Sequence, residues 1–120
     1  MTIDDLLIEA LTVSDRFWFV QDLIIAERTD ATITLHFNIN SGLFVQLFFS
    51  ERSERLSFAL VTSSGRLYGR DREYGVWHRH PFGQADQHEP TPEGVSLQPI
   101  LQFMAEVEEI LVVQQRSNDG

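Results

Sequence analysis

Residues 65–92 read GRLYGRDREYGVWHRHPFGQADQHEPTP and concentrate the chain's reactive side chains. They hold three of the four histidines (His78, His80, His88), four of the nine arginines (Arg66, Arg70, Arg72, Arg79) and both tyrosines. His78-x-His80 places two imidazoles on one side of an extended segment, because side chains alternate along a strand. His88 follows eight residues later, flanked by Asp86 and Glu89. Two chemistries suit this set. In one, His78, His80 and His88 work as acid and base on an RNA phosphodiester: one imidazole takes the proton of a ribose 2′-hydroxyl and another protonates the leaving oxygen. Arg70 or Arg79 would then steady the charge on the phosphate. This reading needs no cofactor. In the other, His78, His80 and His88 or Asp86 ligate zinc or another divalent metal while Glu89 orients a water. Imidazole serves both because it titrates near neutrality.

The same residues have structural uses. Loops rich in His, Asp and Pro often spend those side chains on backbone groups. Trp77, Tyr74 and Phe82 are able to stack a base, with Trp77 the substrate-binding candidate, or to anchor the loop to the sheet. The alternating signs of Arg70-Asp71-Arg72-Glu73 suit a self-pairing solvated edge. Arg70 is the exception to test, because it ends the strand that delivers the loop. His36 falls on the polar side of its strand and reads as structural.

The elements that must position this loop follow from periodicity. Thr2 with Asp5 resembles an N-cap, and Ile3, Leu6, Leu7, Ala10 and Leu11 predict a short helix over about 3–12. The aromatic and β-branched run 17–27 predicts a strand. At 31–40, Ile33, Leu35, Phe37 and Ile39 alternate with Thr32, Thr34, His36 and Asn38, the clearest strand signal in the chain. Residues 43–50 are apolar on both sides, the pattern of a central strand covered on both faces. Polar turns then separate 56–62 from 66–70. Residues 82–94, with Pro90 and Pro92, read as an ordered loop. Ser96 is a candidate N-cap and Pro99 suits a first turn. Leu97, Ile100, Leu101, Met104, Val107, Ile110 and Leu111 form the stripe of one long helix over about 97–114, before a frayed RSNDG tail. The fold class is therefore α+β: one domain over 1–120, an antiparallel β-meander of about five strands, a long C-terminal helix on one face and a short N-terminal helix.

Composition bounds the function. A chain of 120 residues with 42% hydrophobic content can bury a core unaided. With no cysteine there are no disulfides and no thiol chemistry. The acidic start, MTIDDLLIEALT, lacks the basic region of a signal peptide, and the expected compartment is the cytoplasm. Net charge is −9, yet the four arginines of 65–92 balance Asp71, Glu73, Asp86 and Glu89. The acidic excess lies entirely outside that stretch. A neutral Arg/His island can hold a phosphate, although it would not draw a long polyanion from a distance.

The order S-x-G-R-L, a strand ending in Arg-Asp, W-H-R-H-P, D-x-H-E-P and a final helix resembles the TumE-type prokaryotic toxin family. The matching positions are Gly65 and Leu67 at the turn, Arg70 and Asp71 as the pair, and His78, His80, Pro81 and His88 as the cluster. Arg72 stands where that pattern has Asn. The resemblance implies an RNA-cleaving toxin neutralised by an antitoxin protein. Expected partners from the resemblance are thus an RNA substrate and an antitoxin; a homodimer with a second copy of the chain is a separate expectation, and the short apolar runs predict no membrane. The competing readings are a non-catalytic module that binds protein through its sheet edge or helix, and a metal-dependent hydrolase.

Overall fold

The computed structural model describes residues 1–82, 89–90 and 98–119. Helix α1 (Ile3–Ser14) leads into strands β1 (Asp22–Arg28), β2 (Thr32–Asn40), β3 (Leu43–Ser50), β4 (Leu56–Thr62), β5 (Gly65–Glu73) and β6 (Val76–His80). The two-residue strand β7 (Glu89–Pro90) and helix α2 (Pro99–Asp119) follow. Strand order is the order of the chain, with every neighbouring pair antiparallel. The α+β meander is as expected. It gains a strand because Tyr74 and Gly75 both take positive φ (53° and 76°), making the tight turn that folds β6 back on β5.

Helix α1 starts at a full capping box. Thr2 Oγ1 accepts from the Asp5 N–H at 3.1 Å and Asp5 Oδ2 accepts from the Thr2 N–H at 3.0 Å. Its stripe of Ile3, Leu6, Ala10 and Val13 is buried against the sheet and α2. In α2, Ile100, Phe103, Met104 and Val107 are fully buried, and the Phe103 ring stacks on Phe58 at 4.9 Å and on Tyr68 at 5.5 Å. Pro99 is its first residue, where a missing N–H costs nothing. Ser96 and Leu97 lie outside the described residues. The backbone of α2 stays helical to Asp119, through most of the expected tail.

Two expectations need correction. The run 17–27 is a strand only from Asp22. Residues 17–20 instead form a turn, closed by the Val20 N–H on the Phe17 carbonyl, which drops Phe19 into the core and leaves Trp18 exposed. Aromatic residues that anchor a turn carry the same composition as a strand. Strand β3 is not covered on both sides. Val45, Leu47 and Phe49 are fully buried beneath the helices, whereas Phe44 and Phe48 on the opposite face are half-buried and Gln46 is exposed. A side contact shields one of these rings: Phe44 lies 4.6 Å from His36, whose Nε2 is 3.1 Å from Gln46 Oε1. The sheet therefore has a helix face and an open face. Among the described residues no helix is long and apolar enough to cross a membrane.

Glu9 is half-buried between the helices. Burial raises its pKa above the ordinary value, and the Ile100 N–H opposes that by stabilising the charge. A carboxyl raised on folding favours the native state at low pH and loses that contribution as pH rises through its folded pKa. Glu9→Gln is therefore expected to be more stable than the wild type at pH 7, by less than about 1 kcal/mol for so wet a site. The gain should vanish below the ordinary glutamate pKa. Urea unfolding of both proteins at pH 3 and pH 7 checks this.

Candidate functional site

Strand β6 carries His78, Arg79 and His80 in succession, so the two histidines share one face and the arginine takes the other. The register fixes which is which. Arg79 lies opposite Arg70, and Arg70 opposite the buried Phe58, placing both arginines on the helix face. His78 lies opposite Asp71, and Asp71 opposite Ser57, on the open face.

On the open face the side chains form a chain of contacts. Ser57 Oγ donates to Asp71 Oδ1 at 2.6 Å, and Asp71 Oδ2 is 2.9 Å from His80 Nε2. Arg66 Nη2 is 3.1 Å from His80 Nδ1. A guanidinium only donates, so Nδ1 is the acceptor and the ring proton sits on Nε2, directed at Asp71. His80 itself is only 8% exposed, beneath the exposed Arg66.

Two local features of β5 make this possible. Strict alternation would put Arg66 on the helix face with Tyr68 and Arg70. The register instead shifts after Leu60, which pairs with Tyr68 while Val61 pairs with Arg66, and this bulge turns Arg66 onto the open face. Gly69 then supplies the floor. A Cβ there would meet the Phe58 carbonyl oxygen at 2.8 Å, Arg66 Cδ at 3.3 Å and His80 Cδ2 at 3.7 Å. Only a residue without one lets the arginine and the imidazole lie across the strand.

The helix face carries the opposing cluster. Arg70 Nε and Nη2 donate to the two oxygens of Glu106 at 2.8 and 2.9 Å. Tyr68 Oη donates to Glu106 Oε1 at 2.5 Å, and Gln102 Nε2 to Oε2 at 3.3 Å. Burial works to lower the Arg70 pKa, but the hydrogen bonds and charge of Glu106 outweigh it and leave it raised. Burial, reinforced by Glu106, pushes Tyr68 up to about 12. Arg79 pairs with Glu89 across the β6–β7 ladder, and the Arg72 guanidinium lies 5.6 Å from the Trp77 ring centre.

The expected constellation is thus divided. His78 and His80 share the open face, as expected. Arg70, Arg79 and Trp77, expected to hold substrate beside them, lie on the far side of the sheet. There Arg70 secures α2, Arg79 meets Glu89, and Trp77 packs against the core. The cause is the two-residue period of a strand: an arginine between two histidines, and the residue directly across from it, must face away from both. Glu89, the water-orienting candidate of the metal reading, is the partner of Arg79. His88 and Asp86 lie outside the described residues. Among the described residues no three His, Cys, Asp or Glu side chains gather as a metal site. Sequence reasoning missed Ser57 altogether, counted Arg66 among the arginines without giving it a role, and named Asp71 only as part of a motif. No protein-family model, curated protein or solved structure matches this chain.

Proposed function

We propose that the open face cleaves RNA by metal-free acid–base chemistry centred on His80, with His78 as second imidazole and Arg66, not Arg70 or Arg79, on the phosphate. One observation carries this reading: both ring nitrogens of His80 are engaged, Nε2 by a carboxylate and Nδ1 by an exposed guanidinium. An anionic phosphate competes for the Arg66 fork. As Arg66 turns to it, the Nδ1 lone pair is offered to the neighbouring ribose. His80 then takes the 2′-hydroxyl proton while the 2′-oxygen attacks phosphorus. The bond to the 5′-oxygen breaks and that oxygen receives a proton from His78. The products are a 2′,3′-cyclic phosphate and a free 5′-hydroxyl. Asp71 steadies the imidazolium through Nε2–H, and Ser57 holds the other carboxylate oxygen. Asp71 and His80 are among the positions that resemble the TumE-type family.

The test is cleavage of a mixed RNA by the purified protein, with and without EDTA, beside His80→Ala. Cleavage should survive EDTA and fall about 10²–10⁴-fold in the variant. Loss in EDTA restored by added metal would favour the hydrolase, and no cleavage by folded protein would favour a protein-binding module.

A further inference from the structure

Strand β1 ends the sheet: among the described residues no strand pairs with its outer edge, and helix α1 reaches it at Arg28, whose Nη2 lies 3.5 Å from Asp4 Oδ1. Only Leu23 is partly buried; Ile24 is 46% and Ile25 53% exposed, one on each face. An unpaired edge with adjacent exposed isoleucines is a ready surface for strand addition. The edge is also irregular, since the register against β2 shifts between Ile25 and Glu27. Through their β2 partners, Asp22, Ile24 and Glu27 belong to the open face, while Leu23, Ile25 and Arg28 belong to the helix face. A regular strand added along this edge would fall out of face halfway, because a one-residue slip sends every side chain to the wrong side.

A second β1 run antiparallel does not. We infer that β1 is a self-pairing edge, joining two copies of the chain about a two-fold axis between Ile25 and Ala26. That register opposes Leu23 with Arg28 of the second copy, both on the helix face, and Ile24 with Glu27, both on the open face. The two irregularities then meet at the axis and cancel. Sliding by one residue opposes Asp22 to Arg28, or Ile24 to Arg28, and each of those pairs is split between faces. Charge agrees with the same register: the two Arg28 residues lie at opposite ends of the ladder, as do the two Asp22 residues, and the centre is Ile25 against Ala26. The bulge thus admits its own copy while excluding regular strands, and the product is a single sheet running through both protomers.

The experiment is light scattering of the full chain across micromolar concentrations, together with cysteine pairing, which the cysteine-free sequence makes unambiguous. Wild type should approach twice the chain mass, and Ile24→Lys/Ile25→Lys should stay at the monomer mass. Ile24→Cys/Glu27→Cys should oxidise to an intermolecular dimer at least about tenfold faster than Asp22→Cys/Arg28→Cys, whose thiols the register holds on opposite faces. A monomeric wild type at every concentration, a dimeric lysine variant, or equal crosslinking of the two cysteine pairs would overturn the inference.

Discussion

Replacing Glu106 with alanine should cost about 3–5 kcal/mol, the range for removing one partner of a buried ion pair. The Arg70 side chain is 7% exposed and that of Glu106 23%, so the guanidinium left behind has little water to turn to. Both its Nε and Nη2 donors lose their acceptor at once, and the Tyr68 hydroxyl and Gln102 amide lose theirs with them. The damage would not stay local. Tyr68 and Arg70 are the polar seam between β5 and α2, beside the Phe58–Phe103–Tyr68 stack that sets the helix on the sheet. Urea unfolding measures the loss, and Arg70→Met/Glu106→Leu tells attraction from desolvation. A pair retained for specificity should give a double variant close to wild type, because neither charge then remains buried alone. A Glu106→Ala cost below about 1 kcal/mol would mean that water reaches Arg70 and that the pair behaves as a surface one.

The same cluster shows where the sequence was legible. Ile33 to Ile39 alternate without interruption, so β2 and its buried face follow directly from the pattern. The stripe from Ile100 to Val107 gives α2 equally well, and Phe103, its most central ring, lies three residues after Ile100 and four before Val107, on that same stripe, although it was not counted there. The division of the loop was legible too. The order His78-Arg79-His80 already places the arginine across the sheet from both imidazoles. Arg66 was not legible. Its face depends on a bulge, and a bulge inserts one residue without leaving a compositional mark. Phe17 to Val20 misled for a related reason: burial of Phe19 in a turn and burial in a strand select the same residues.

Within the proposed reaction, Asp71→Asn should lower kcat about 10²–10⁴-fold while leaving the affinity for a non-cleavable 2′-deoxy oligonucleotide within about twofold. An asparagine fills the same space and its amide oxygen still accepts from His80 Nε2 or Ser57 Oγ. What it cannot supply is the negative charge that steadies the imidazolium formed when Nδ1 takes a proton. Arg66→Ala should act at the other end of the ring. It removes the group that meets the phosphate, so oligonucleotide affinity should fall and its dependence on salt should flatten. Ser57→Ala leaves the Asp71–His80 contact in place and should cost far less than Asp71→Asn. The contrast between the three variants carries the test. If Asp71→Asn weakened binding as much as turnover, or if Ser57→Ala matched it, the carboxylate would be holding the strand pair β4–β5 together. His80 would then be a buried histidine satisfied by its neighbours rather than the centre of a reaction.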